Sequence, residues 1–179
     1  MAKFHDDQTE GGRMMRASVA LLALGLGGCV ISNETRVVGG PPVAIERAYA
    51  SPTAFYSKHI IIPPGYATIR LPGVVPDTNA SGAYGDTEAQ SESVFAKIAA
   101  ALKDAGASEA DVVAMTVYLV APTAGGAMDF EGMMRAYSRH YGSDAQPNRP
   151  VRSTVAVAGL VRPGMLVEIE VTAAVPAKR

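Results

Sequence analysis

Residues 148–175 read NRPVRSTVAVAGLVRPGMLVEIEVTAAV, and three of them carry charge where a half-buried strand would place valine: Arg152, Glu168 and Glu170. A guanidinium is a planar, two-pronged donor that stays charged at any working pH, which suits it to a carboxylate. A carboxylate within reach of water can accept its proton, and its acid form can hand one to a leaving amine. On pattern alone, an ion pair between strands on a wetted surface is the better account of these charges.

The elements that must position these charges follow from spacing. Two Val- and Ala-rich runs flank a Gly/Pro turn and predict a closing hairpin. In the second run Val167, Ile169, Val171, Ala173 and Val175 point one way, and Glu168, Glu170, Thr172 and Ala174 the other. In the first, Val151, Ser153, Val155 and Val157 alternate with Arg152, Thr154, Ala156 and Ala158. Upstream, FYSKHIII (55–62) and YATIRL (66–71) are separated by Pro63-Pro64-Gly65 and predict a first hairpin. Thr87 and Gln90 form a capping box ahead of Val94, Phe95, Ile98, Ala101, Leu102 and Ala105, with Gly106 as the stop. DVVAMTVYLV (111–120) reads as a central strand buried on both faces. From Asp129 a second helix presents Phe130, Met133, Met134, Tyr137 and Tyr141 as a core stripe and ends at Gly142. The order β-β-α-β then α-β-β hints at a loose duplication. Right-handed crossovers put both helices on one face of the sheet. Arg152, Thr154, Glu168 and Glu170 would then share the helix-free face, where small alanines between the charges suit contact with another subunit.

The stretch RPVRSTVAVAGLVRPGMLVEIEVTAAV resembles the C-terminal signature of the Rid (reactive intermediate deaminase, YjgF-like) family, a Pro-x-Arg-Ser/Thr strand followed by a Val/Ile-Glu-Ile-Glu strand. A weaker likeness covers about residues 50–176, through Gly73 and Pro76, the Ala-Gly ending the first helix, DVV and VYL of the central strand, and Tyr137. The resemblance implies an α+β, chorismate-mutase-like sandwich: one mainly antiparallel mixed sheet with two helices on one face, forming homotrimers with inter-subunit clefts. It further implies hydrolysis of small 2-imino (enamine) carboxylic acids to 2-oxo acids and ammonia, with no cofactor and no metal. Arg152 then matches the residue gripping the substrate carboxylate, and Glu168 the acid that activates water. Thr154, Gly73, Tyr56 (with Phe55 as the alternative) and Tyr137 complete the substrate-binding set. Pro72 stands where relatives carry serine, Met134 where asparagine is common, and Thr154 where some carry cysteine. The alternative is a non-catalytic, envelope-anchored protein of the same family that binds small carboxylates or acts as a trimeric scaffold. Isomerase chemistry of the chorismate-mutase kind shares only the architecture.

Composition narrows the remaining classes. With 179 residues and 48% hydrophobic content the chain can build one ordinary domain. A formal net charge of −1 lacks the electrostatic footprint of a nucleic-acid binder. Three scattered histidines and one cysteine offer no metal-ligand spacing and no internal disulfide. RASVALLALGLGGC (16–29) has the length of a signal-peptide core and ends in a sequence resembling a bacterial lipobox, with Cys29 as the lipidation site. Residues 1–28 are therefore expected to be a lipoprotein signal peptide, with Met14 or Met15 as an alternative start. Residues 29–50 are expected to be the lipidated cysteine and a flexible tether, and 51–179 the folded domain. This predicts a cell-envelope lipoprotein on the periplasmic side, held to the membrane by its N-terminal lipid; Val30 after the cysteine would permit passage to the outer membrane.

Overall fold

Val94, Phe95, Ile98 and Leu102 recur at helical spacing, and in a computed structural model, which describes residues 43–178, all four are fully buried on one face of α1 (Thr87–Asp104). Asp86, not Thr87, caps this helix: its carboxylate accepts the Ala89 amide at 2.9 Å. The expected Thr87–Gln90 capping box does not form, because Gln90 turns inward. Its amide donates to the Gly85 and Gly164 carbonyls, each at 3.0 Å, and accepts from the Leu166 amide at 2.7 Å. Gly106 follows the helix with φ of 77°, a left-handed turn that glycine adopts without Cβ strain.

The second helix, α2 (Phe130–His140), is capped by Asp129 and lies beside α1. Met133, Ala136, Tyr137 and Tyr141 join the α1 side chains over Val112, Met115, Val117 and Leu119 of β4 (Val112–Leu119) and Val167, Ile169, Val171 and Ala173 of β6 (Val167–Pro176). Each large apolar side chain sealed here contributes about 1.5–3 kcal/mol. Both helices thus cover one face of the sheet, as the crossover rule predicts.

The sheet has four strands in the order β3-β6-β4-β5, with β3 at Tyr66–Val74 and β5 at Val151–Ala156. β3–β6 and β6–β4 are antiparallel, and β4–β5 is parallel. Neither predicted hairpin exists. β5 and β6 are adjacent in sequence, but β4 lies between them; α2 carries the chain over to a parallel β5, and β6 returns into the gap between β4 and β3. β2 (Ser57–Ile61) pairs not with β3 but with β1 (Glu46–Tyr49), in a separate two-stranded ribbon. Strand β1 falls inside the stretch expected to be tether. What fixes it is Arg47, whose guanidinium donates to the carbonyls of Val112, Arg149 and Ala110 at 3.0–3.1 Å. The ribbon also docks at the start of β5, where the Ser57 amide donates to the Pro150 carbonyl and its hydroxyl to the Arg149 carbonyl. The central strand is fully buried on one face only: Ala114, Thr116 and Tyr118, away from the helices, are half-buried. The signal segment, Cys29 and most of the expected tether lie outside the described residues.

Candidate functional site

Strand register decides where the charges point. Arg152 sits opposite Met115 and Thr154 opposite Val117, both core-facing residues of β4. Glu168 sits opposite Tyr118 and Glu170 opposite Thr116, on the helix-free face. Arg152 and Thr154 therefore face the helices and the two glutamates face away, contrary to the expectation that all four share a face. The sequence phase misleads because β5 is an edge strand. Its helix-side positions lie at the margin of α2, where a long cation fits, and its valines occupy the open face, Val155 with 40% exposure. Strands β5 and β6 flank β4, about 10 Å apart, and the register offset of three residues adds about 10 Å along the strands. One chain does not bring Arg152 and Glu168 together.

Arg152 is seated on aromatic carbon. Its guanidinium lies 4.3 Å from the centre of the Tyr137 ring and 5.8 Å from that of Phe130. Nη1 donates to the Met134 sulfur at 3.1 Å. No carboxylate among the described residues pairs with it, and burial lowers its pKa from the ordinary value. Two residues along the same face, the Thr154 hydroxyl is buried without a hydrogen-bond partner among the described residues. Tyr56 stands near enough for its phenol to bear on the Arg152 charge, and is about half exposed. A groove of about 340 Å³ is lined by Tyr56, Ser57, Arg152 and Ser153, among others.

Tyr137 lies directly behind the Arg152 guanidinium. It is fully buried, its ring backs the guanidinium, and its hydroxyl is already spent on the Phe55 carbonyl at 2.7 Å. Burial pushes its pKa up to about 12 despite the nearby arginines Arg152 and Arg149. It therefore holds the segment carrying Tyr56 against α2. Phe55, the alternative to Tyr56, contributes a main-chain carbonyl to this latch.

Gly73 and Glu168 form a second cluster on β3 and β6. Between Leu71 and Val74 the pairing slips by one residue, because three steps on β3 match two on β6, from Val171 to Ile169. Such a bulge on an edge strand accepts Pro72, which has no N–H for the ladder. It also carries Gly73 under the Glu168 side chain: a Cβ at Gly73 would lie 1.8 Å from Glu168 Oε1. Only glycine leaves the carboxylate there. Across the strand, Tyr118 donates to Glu170 at 3.1 Å, which raises the phenol pKa; among the described residues Glu168 has no such partner. Nothing local in the sequence announces the roles of Phe130 and Met134 around Arg152, or of Tyr118 beside the glutamates. They follow from register and from the seating of α2. Among the described residues no three His, Cys, Asp or Glu side chains gather where they could hold a metal ion.

Residues 48–175 match the family model described as Endoribonuclease L-PSP. The chain belongs to this family, also called YjgF/Rid. The Rid protein YyfB of Yersinia pestis is 27% identical, superimposes with a TM-score of 0.55, and is aligned over 68% of this chain and 87% of its own. A candidate endoribonuclease of Thermotoga maritima is 30% identical with a TM-score of 0.50, over 68% of this chain and 87% of its own. TdcF of Escherichia coli, solved with bound serine, shares the fold at 23% identity and a TM-score of 0.50, over 71% and 91% of the two chains. No curated protein matches. The fold is the α+β, chorismate-mutase-like arrangement of Rid proteins, two helices on one face of a mixed sheet.

Proposed function

We propose that this Rid protein hydrolyses small 2-imino carboxylic acids, or their enamine tautomers, to 2-oxo acids and ammonia, at a site completed by a second copy of the chain. The observation that carries the reading is Arg152, a half-buried guanidinium with no carboxylate partner among the described residues, resting on Tyr137. A cation desolvated to this degree without a counter-ion is costly to keep, and an anionic ligand relieves that cost. Arg152 grips the substrate carboxylate, with the unpartnered Thr154 hydroxyl and Tyr56 beside it. Glu168, over Gly73, comes from the neighbouring protomer of a homotrimer. Support for that division is the placement of the two clusters on opposite faces of one chain, together with an open face that carries Tyr118, Thr116 and the exposed Val155.

The chemistry balances without a cofactor. The C=N carbon is already electrophilic, so orientation and proton handling suffice. Glu168 accepts a proton as water adds to that carbon, and the C–N π pair moves onto nitrogen. The glutamic acid returns that proton to nitrogen, giving a carbinolamine; Glu168 then takes the hydroxyl proton as the C=O forms and delivers it to nitrogen as the C–N bond breaks, so that ammonia leaves and the carboxylate is regenerated.

The test is to generate an imino acid in situ with an amino-acid oxidase and to follow 2-oxo acid formation. Acceleration should disappear in Arg152→Ala and in Glu168→Ala. Co-refolding the two inactive variants should restore activity at about a quarter of the sites by random mixing, since some clefts regain both groups. No restoration would sink the shared site. Light scattering should give three protomers.

A second reading, a non-catalytic carboxylate binder or trimeric scaffold, is favoured by Met134 and Pro72, which put a thioether and a ring where relatives carry an amide and a hydroxyl. Saturable 2-oxo acid binding without acceleration would select it. Export is proposed on the sequence of residues 1–29 alone: Cys29→Ser should leave the precursor unlipidated and unprocessed, and normal maturation would remove the envelope assignment. Among the described residues no helix is long and apolar enough to cross a membrane.

A further inference from the structure

Arg152 shares its groove with a second cation. The groove, about 340 Å³, runs beside β5, and because β5 is the edge of the four-stranded sheet its lining draws on both faces of that strand, Arg152 from the helix side and Val151 and Ser153 from the open side. The facing wall is the start of β2, with Tyr56, Ser57 and Lys58. Two hydrogen bonds clamp the walls together: the Ser57 amide donates to the Pro150 carbonyl at 2.9 Å, and its hydroxyl to the Arg149 carbonyl at 2.5 Å. Lys58 is the next residue after this clamp on one wall, and Arg152 follows Pro150 by two residues on the other.

A regular strand would send Ser57 and Lys58 to opposite faces. Here the pairing with β1 slips: the one step from Ala48 to Tyr49 matches two from His59 to Ser57, which leaves Lys58 with no pairing partner on β1. A bulge of this kind bends the strand and re-aims its side chains, so that Ser57 and Lys58 both border the groove.

Charge in the groove is one-sided. Its lining includes Arg152 and Lys58 and no acidic residue. The ion pairs of the described residues belong to Lys97, Arg135, Arg139 and His140, so neither groove cation is neutralised among them. A monocarboxylate held by Arg152 answers one of these charges and leaves the other to water. A ligand with a further carboxylate at the far end of its carbon chain answers both. The volume lies at the small end of ligand pockets, about 300–1,000 Å³, which suits a diacid of a few carbons. An ammonium on a flexible stem can follow such a ligand through small changes of length.

We propose that Lys58 is the second anion contact of this groove, and that the ligands it selects are dicarboxylates: 2-imino and 2-oxo acids with a second carboxylate at the chain terminus. The inference rests on the reading of Arg152 as carboxylate anchor and adds the substrate class.

Calorimetry on the purified protein compares 2-oxoglutarate with 2-oxopentanoate, and 2-oxoadipate with 2-oxohexanoate, pairs matched in length that differ in the terminal carboxylate. The diacid of a pair should bind about three- to fivefold tighter, the size expected of one solvent-exposed ion pair, and the preference should shrink as salt is raised. Lys58→Gln should bring the ratio to about one, Lys58→Glu should invert it, and Lys58→Arg should retain it. Lys58 is exposed, so these changes remove no core contact, and a thermal melt establishes that each variant is folded. Equal affinities within both pairs, or a ratio that Lys58→Gln leaves unchanged, overturns the proposal; Arg152 remains the anchor if Arg152→Met still abolishes binding. If no member of either pair binds, the anchor fails and this inference falls with it. None of these outcomes depends on turnover, so a protein that binds 2-oxo acids without hydrolysing imines is judged by the same ratio.

Discussion

Helix α2 borders two groups of cations that are treated in opposite ways. On its outer surface Arg135 meets Glu88 at 2.5 Å, and Arg139 meets Glu88 at 2.9 Å and also Glu92. His140 lies between Glu92 at 2.9 Å and Glu109 at 2.8 Å. At its inner margin Arg152 has rings and a sulfur but, among the described residues, no carboxylate. The outer charges are satisfied by this chain and laced across to α1; exposed pairs of this kind contribute about 0–1 kcal/mol each. Arg152 is more buried and less satisfied, as the proposed carboxylate contact requires. Removing charges on the two sides should therefore have opposite consequences.

The sharpest break is Arg152→Met. It should abolish carboxylate binding, a loss of about 100-fold or more, since a charge-assisted pair is worth about 2–3 kcal/mol. Folding should be hardly affected, because the deletion removes a desolvated and unpaired charge along with its ring contact. Calorimetric titration of a 2-oxo acid and a thermal melt on the same sample check both halves. A melting temperature that falls by ten degrees with binding intact would reverse the assignment of Arg152 to function.

Gly73→Ala sharpens the contrast on the other cluster. The new Cβ would overlap Glu168 Oε1, so the carboxylate must swing aside. If Glu168 is the general base proposed above, its displacement should lower kcat by about 10- to 100-fold, while 2-oxo acid affinity, assigned in the same proposal to Arg152, changes little. Equal losses in both would mean that the two clusters do not act as separate halves. Tyr137→Phe should act more mildly: losing the bond to the Phe55 carbonyl costs about 1 kcal/mol and releases the segment carrying Tyr56. KM should rise several-fold with kcat nearly unchanged, and because the Tyr137 phenol titrates only near pH 12, the pH profile below pH 9 should not move.

What could be read from the sequence divides along the same line between local and non-local structure. Both helices, their glycine stops at Gly106 and Gly142, and the inward face of β6 follow from period and from left-handed glycine, which need only neighbouring residues. Strand partners need the whole sheet. Pro63-Pro64-Gly65 is a turn, yet β2 finds β1 because Arg47 supplies three hydrogen bonds from a stretch that looked like linker. At the C-terminus, parity was correct for β6 and inverted for β5, since an edge strand lets valine face outward and arginine face the helix. The residue types of the candidate site are legible for that reason, but their separation onto opposite faces of one chain is not. The Gly73–Glu168 contact lies between: the glycine stands out in the sequence, but the bulge that seats it under Glu168 appears only through register.

The smallest expected effect lies on the satisfied side of α2 and concerns pH. Burial alone would lower the pKa of His140, but the hydrogen bonds and charges of Glu109 and Glu92 outweigh it and raise the value above the ordinary one. Stability from this group is then fully present below about pH 6.5 and is lost as pH rises through the raised value. Glu92 runs the other way. Burial would raise its pKa, the bonds from His140 and Arg139 lower it, and its contribution is lost only as pH falls through that lowered value. The helix pair should therefore be firmest in the window between the two and should loosen on the alkaline side. The change amounts to about 1 kcal/mol or less, since the Glu92 side chain is 37% exposed to screening water. Melting temperature should drop by about 2–4 °C on that arm, and His140→Gln should flatten it. Because Arg152 takes no part in this network, carboxylate affinity in His140→Gln should match that of the unsubstituted protein at every pH. An affinity that titrated with His140 would mean that the two sides of α2 are coupled, and that the division between them is wrong.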